Sequence, residues 1–243
     1  LFSLIGTGIT AGYIPTYNKI KKKDGEDKAE MFTSNMLNII MAFSFVISII
    51  ISIFPSFFVK LLASGFQGEQ LELAIYFTRI SIWAVLFLGI CTIVIPYLNI
   101  KNSFYISSAI GIPLNIGLIT GIVLSYYFSK FYLAFGITLG YILQVILLIP
   151  ALKIRGYKHN SKIDVKDKYI KEIMYLAAPM VVGSCASQLN VIIDRTIASF
   201  LTTGSISALN YSNRLNGFIE GVLLAPLITL MYPKISELAV NND

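Results

Sequence analysis

Seven apolar blocks constrain the fold of this chain more than any other feature. A helix needs about 20 mostly apolar residues to cross a bilayer, whereas a barrel strand needs about 10 and alternates polar with apolar residues. All blocks but the shorter first one have the length of spanning helices, and none alternates. The blocks are residues 1–17, 32–59, 73–98, 104–128, 131–152, 170–201 and 206–232. The pattern predicts an all-α polytopic membrane helix bundle with about seven transmembrane helices.

The composition excludes an ordinary soluble domain. Hydrophobic residues make up 56% of the chain and charged residues 13%, against about 25% charged residues in soluble proteins. The net charge of +6 does not indicate a nucleic-acid partner, because the basic residues lie in short loops between apolar blocks. Cys91 and Cys185 lie within apolar blocks, which favours packing roles, and the single histidine, His159, lies in a basic loop.

The loops predict the orientation in the membrane. Most of the 19 Lys and Arg residues lie after the first, third, fifth and seventh blocks, whereas the opposite loops contain only Lys60 and Lys130. By the positive-inside rule, the basic loops and the C-terminal end are cytoplasmic. Residue 1 is Leu rather than Met, and the chain ends in the polar stretch 241–243, so we expect an internal fragment of a longer protein.

Five charged residues lie more than one helical turn inside the predicted spans: Arg79, Asp194, Arg195, Arg214 and Glu220. A charge at the bilayer centre costs about 2.5–3.5 kcal/mol on insertion scales, so such residues normally face a cavity or a partner. Arg79 lies near the outer end of its helix, from where its guanidinium can reach the headgroups. The other four are candidates for a functional site.

The last two spans each carry a polar face. In the sixth span it comprises Ser184, Ser187, Gln188, Asn190, Asp194 and Arg195, and in the seventh Ser207, Asn210, Asn213, Arg214, Gly217, Glu220 and Gly221. Such a face packs against another polar helix or borders a water-filled cavity. Asp194 and Arg195 diverge by about 100° and cannot neutralise each other. We favour a cavity for a polar or anionic substrate over a structural network.

Motifs of soluble enzymes are missing from the sequence. It contains neither a phosphate-binding Gly-Lys-Ser/Thr loop nor a Gly-x-Ser-x-Gly elbow, and the spans contain no histidine. We interpret the chain as part of a membrane transporter rather than an enzyme, with movement driven by a gradient or a potential.

Six segments carry a resemblance to a known family. They are AGYIPTYN (11–18), LLASGF (61–66), IPAL (149–152), SQLNVIIDRTIASFL (187–201), GSISALNYSNRL (204–215) and YPKIS (232–236). In this order, over essentially the whole chain, they resemble the lipid II flippases (MurJ/MviN), within the superfamily of multidrug, oligosaccharidyl-lipid and polysaccharide exporters.

The resemblance implies a fourteen-helix, two-lobe transporter of the bacterial cell membrane. It would flip lipid II, an undecaprenyl-pyrophosphate-linked peptidoglycan precursor, to the outer leaflet by alternating access, in support of cell wall synthesis and cell shape. Residues 1–152 would then be N-terminal lobe helices with the first helix missing. Residues 153–169 would be a basic cytoplasmic connector, and residues 170–243 would begin the C-terminal lobe.

The resemblance also implies roles for individual residues. Arg214 would contact the pyrophosphate, and Asp194 would be a ligand of a sodium ion, the one cofactor we expect. The other expected cavity residues are Arg195, Asn210, Asn213, Glu220 and Gln188. The chain departs from the family at residues 1–5, which lack an arginine, and at Gly217, where some members have a glutamate.

Two alternatives remain open from the sequence. A related exporter would move lipid-linked oligosaccharide, polysaccharide or drugs, although three arginines against two acids in the spans favour an anionic cargo. A non-transporting scaffold would recruit partners through its basic loops, but it would not need polar helix faces at bilayer depth.

Overall fold

The computed structural model of the protein describes residues 2–202 and 204–224. Over these ranges the chain forms ten α-helices and a closing π-helical turn, with no strand. The helices are α1 (Phe2–Asp24), α2 (Glu26–Ile53), α3 (Pro55–Leu62), α4 (Gly68–Ser81), α5 (Ala84–Ile100), α6 (Phe104–Ala109), α7 (Gly111–Tyr127), α8 (Tyr132–Ile154), α9 (Lys168–Ser199) and α10 (Ser205–Ile219), and the π turn is Glu220–Leu224.

The apolar blocks coincide with these helices. Three segments are long and apolar enough to cross a bilayer by themselves: α2, the α6–α7 pair and α8. Two more meet the same criterion as bent spans, α4 with α5 and the two halves of α9, each with a bend of 43°. The predicted membrane helix bundle is therefore confirmed. Residues 225–243, which hold the end of the seventh block, Pro226 and the motif 232–236, lie outside the described residues.

The first basic loop is shorter than the sequence pattern indicated. We expected a loop over Lys19–Lys28, but α1 continues to Asp24 and α2 begins at Glu26, so Gly25 alone makes the turn with a φ of +93°. The expectation was wrong because lysines are favourable in the last turn of a helix, where they face unpaired carbonyl groups. Lys19 also forms an ion pair with Glu172 of α9.

An aromatic core lies at the end of the bundle that carries the basic loops, called here the basic end. Tyr13 and Phe32 stack with ring centroids 5.9 Å apart, and Tyr97 meets Tyr17 edge-on at 6.0 Å. The Tyr13 hydroxyl lies 2.6 Å from the hydroxyl oxygen of Thr33. Rings from α1, α2 and α5 thus hold these three helices together.

The segment between α8 and α9, residues 155–167, is not helical but is fixed to α2. Asn35 donates to the carbonyl of Asp164 at 2.9 Å and accepts from its amide at 2.7 Å. Asn38 donates to the carbonyls of Asn160 and Lys162 at 2.8 and 3.1 Å. The predicted connector therefore lies along the N-terminal helices. Its role as the boundary between two lobes stays a prediction.

Candidate functional site

The first half of α9 packs antiparallel against α1. Glycines make this approach close: a Cβ on Gly8 would lie 3.1 Å from the side chain of Val181. Near the basic end, the Nζ of Lys19 lies 2.6 Å from Glu172, and Tyr169 donates to the carboxylate of Asp24. These contacts fix the helix that leads into the candidate site.

The second half of α9 carries three of the predicted site residues. It begins at Gln188, after the bend that follows Gly183. Gln188 is half-buried, whereas Asp194 and Arg195 are exposed. The side chains of Ser184 and Ser187, also predicted on this face, lie outside what the structure describes.

A cavity of about 460 Å³ separates the end of α9 from α10, and Asp194 lines it. Its α10 wall is formed by Ser205, Ala208, Leu209 and Ser212, whose spacing places them on one helical face. Asp194 thus faces a space bordered by serine hydroxyls and apolar side chains. The structure brings no second carboxylate into this cavity wall.

The polar face of α10 lies on the other side of that helix. Asn210, Asn213, Arg214 and Glu220 are all exposed, and none of them lines the cavity beside Asp194. At 100° per residue, Arg214 points away from the wall formed by Ala208 and its neighbours. The two predicted polar faces therefore do not pack against each other: Asp194 faces the cavity side of α10, and Arg214 lies on the opposite side.

The four charged residues of the predicted site have no charged partner within the part of the chain that the structure describes. Asp194, Arg195, Arg214 and Glu220 form no ion pair with any residue of 2–202 or 204–224. The same ranges contain no cluster of three or more His, Cys, Asp or Glu residues with the geometry of a metal site. Asp194 alone cannot complete the coordination of a cation, so its sodium role remains a prediction.

Comparison with known proteins gives these residues a context. The family model described as "Lipid II flippase MurJ" matches residues 1–243. The chain therefore belongs to the lipid II flippase MurJ family. This confirms the resemblance seen in the sequence, and the flippase family is a family of transporters rather than of soluble enzymes.

Individual relatives agree with the family match. A "Probable lipid II flippase MurJ" of Haemophilus influenzae is 30% identical over 178 residues, covering 72% of this chain and 34% of the relative. The "Lipid II flippase MurJ" of Burkholderia cenocepacia is 25% identical over 248 residues, covering 95% of this chain and 46% of the relative.

A solved structure has the same fold. The structure titled "Lipid II flippase MurJ, inward closed conformation" superposes with a TM-score of 0.81 at 25% identity, over 99% of this chain and 50% of that chain. The chain spans half or less of the length of these relatives.

Sequence reasoning missed a contact between the end of α9 and the segment that follows α3. The amide of Gly65, in the turn between α3 and α4, donates to the Oγ of Ser199 at 2.9 Å. The Oγ1 of Thr196 donates to the carbonyl of Leu62 at 3.3 Å. Gly65 and Ser199 each lie in a family-like segment, 61–66 and 187–201, but nothing in the sequence indicates that the two segments touch.

Proposed function

We propose that the protein containing this chain flips lipid II from the cytoplasmic to the outer leaflet by alternating access. The proposal is supported by the family match along the whole chain and by one structural observation. Asn210, Asn213 and Arg214 of α10 and Glu220 at the start of the π turn are all exposed among the described residues. A face with this charge at membrane depth fits a wetted cavity for an anionic headgroup.

Arg214 is the residue we assign to the pyrophosphate. A guanidinium presents a planar fork of donors that binds phosphate oxygens in pairs, and it stays charged at bilayer depth. Asn210 and Asn213 can add neutral hydrogen bonds from neighbouring turns of α10. Arg195 and Gln188 would line the cavity from α9, and Glu220 would limit its net positive charge.

The test is substitution of Arg214 in the intact protein. We expect Arg214→Ala to lower lipid II transport and complementation of flippase-depleted cells by about 10- to 100-fold, the effect of losing a hydrogen bond to a charged group. Arg79→Ala is the matched control, because Arg79 is also an exposed arginine of a spanning segment. Equal activity of Arg214→Ala and the wild type would refute the assigned role.

We further propose that sodium binds at Asp194. Carboxylate oxygen is a ligand type that hard cations prefer, and the serine hydroxyls around the cavity supply oxygen of the same kind. The intact protein should melt at a higher temperature in sodium than in an equal concentration of choline, and Asp194→Asn should remove that difference. If the sodium-dependent shift in melting temperature persists in Asp194→Asn, sodium binds at another site and the proposal is wrong.

The membrane setting follows from the same proposal. The protein would lie in the bacterial cell membrane with the basic end in the cytoplasm, where the lipid-linked precursor is collected. The opposite end, formed by the turns at 63–67 and 128–131 and by residues 200–202, is called here the far end. It would face the outside.

A further inference from the structure

The far end of the bundle is held by a small contact between two parts of the chain distant in sequence. It joins the end of α3 and the turn that follows it to the last turn of α9, through the hydrogen bonds of Thr196 to Leu62 and of Gly65 to Ser199. Ser199, which accepts from Gly65, also donates to the carbonyl of Thr196 at 2.6 Å. Ser199 is 6% exposed and Ala198 8% exposed, so the contact shields these two residues, whereas Ile197 and Phe200 beside them are exposed.

Position 65 requires glycine because of this close contact and not because of its backbone conformation. Its φ does not lie in the left-handed region, unlike those of Gly25, Gly68, Gly156 and Gly204. A Cβ at position 65 would lie 2.4 Å from the carbonyl oxygen of Ser199 and 2.7 Å from the amide nitrogen of Phe200. Both are backbone atoms that cannot rotate away, so any side chain at 65 would force the two segments apart.

The surroundings of the contact are loosely packed. A cavity of about 420 Å³ lies beside it, lined on one side by Phe66 and Phe77 and on the other by Leu201, Thr202 and Ser205. The contact contains two hydrogen bonds and no ion pair among the described residues. Interactions of this size form a closure that can separate and reform.

The position of the contact in the chain indicates what its separation would do. The first half of α9 is anchored on α1, and the 43° bend after Gly183 separates it from the half that carries Thr196 and Ser199. The second half is followed, after a short connection, by α10, which bears Arg214. Release of Gly65 from Ser199 would therefore free the far ends of α9 and α10 together, on the side of the bundle that carries the polar face.

We propose that residues 62–67 and the Thr196–Ser199 turn form a latch that closes the far end of the proposed transport cavity and separates in each transport cycle. The role of the latch in transport depends on the proposed function, but the opening of the latch can be measured without transport.

The first experiment locks the latch. In the intact transporter freed of its other cysteines, Leu62→Cys and Thr196→Cys are joined by a short thiol-specific cross-linker. We expect cross-linking to abolish lipid II transport and reduction to restore it. The control pair is Glu69→Cys with Lys130→Cys, at positions where the wild-type side chains lie 3.0 Å apart at the same end and within the N-terminal helices. Cross-linking of the control should leave transport unchanged. Undiminished transport by the protein cross-linked at 62 and 196 would overturn the proposal.

The second experiment reads the latch without transport, so that a failure of the proposed function is distinguishable from a failure of the latch. Ala198→Cys places a thiol beneath the contact, and its labelling by a maleimide is timed in lipid nanodiscs. Gly65→Ala should accelerate labelling strongly, and Ser199→Ala should accelerate it on the order of fivefold, as expected for loss of one hydrogen bond. Leu201→Cys, at an exposed position, should label at one rate in all backgrounds.

An unchanged labelling rate of Ala198→Cys in both backgrounds would overturn the latch even if transport is confirmed. If Gly65→Ala does not give a folded protein, Ser199→Ala decides alone, because it removes only a hydroxyl. A rise then supports the latch, and no rise overturns it.

Discussion

At the scale of single residues, the charges of this chain fall into two classes that differ in their partners. Lys101, at the end of α5, contacts the carboxylates of Glu26 and Glu30, the latter at 3.0 Å, and its side chain is 14% exposed. Partial burial opposes its charge, but the hydrogen bonds to both glutamates outweigh that cost and raise the pKa of the ammonium above its ordinary value of 10.5. Arg195 and Arg214 have no such partners in the described chain. Paired charges therefore stabilise the basic end, whereas the guanidinium groups of Arg195 and Arg214 form no ion pair with any described residue.

Lys101→Met should destabilise the protein by about 1–3 kcal/mol, because it leaves the partly buried carboxylate of Glu30 without its charged partner. A raised pKa means that the lysine's contribution is complete below pH 10.5 and is lost only as the pH rises through the raised value. Lys130→Met is the control, since its partner Glu69 is 84% exposed. Thermal unfolding at neutral pH measures both, and equal losses in the two variants would contradict this account.

At the scale of elements, α7 and α8 form the most extensive helix–helix contact of the described chain. Glycines allow it: a Cβ on Gly117 would lie 2.3 Å from the Cα of Gly140, and one on Gly121 would lie 2.7 Å from the Cα of Gly136. In a membrane, where apolar side chains gain little by leaving lipid, such close backbone approach is a main source of helix association. The opposite face of α7 exposes Ile112, Ile116, Ile119 and Val123, as expected for contact with acyl chains.

Gly117→Ala should lower the melting temperature, even though alanine favours an isolated helix by about 1 kcal/mol over glycine. The added methyl group would overlap the backbone of α8. The free energy lost when the two helices move apart exceeds the gain in helix propensity. Gly111→Ala in the same helix is the control, because nothing lies within 4 Å of its Cβ position. A thermal shift of the same sign in both variants would show that packing at Gly117 is not decisive.

At the scale of the whole molecule, the two ends of the bundle differ in chemistry. The basic end combines the aromatic core with the connector that Asn35 and Asn38 hold, whereas the far end combines the latch with exposed rings such as Tyr126 and Tyr127. Rings of this kind prefer the membrane interface, and lysine-rich loops prefer the cytoplasm. The proposed orientation thus has a separate chemical basis at each end.

The orientation can be measured with two matched serine substitutions. Ser64→Cys lies in the far-end turn and Ser161→Cys in the connector, and both serines are exposed. In intact cells, a membrane-impermeant maleimide should label Ser64→Cys and should label Ser161→Cys only after the membrane is opened. Labelling in the reverse order would place the basic end outside.

The sequence by itself determined the membrane helices, their order and the family. Spanning a bilayer depends on the local length and hydropathy of each block, because lipid offers no partner to unpaired backbone groups. It also placed Arg214 and its polar neighbours on one face of α10, since a fixed helical period suffices for that.

The tertiary structure alone decided which helix faces meet. It separated Asp194 from Arg214, extended α1 to Asp24, and brought Gly65 against Ser199. Each of these depends on how helices far apart in the chain are rotated and placed against one another, a property that no local pattern of residues encodes.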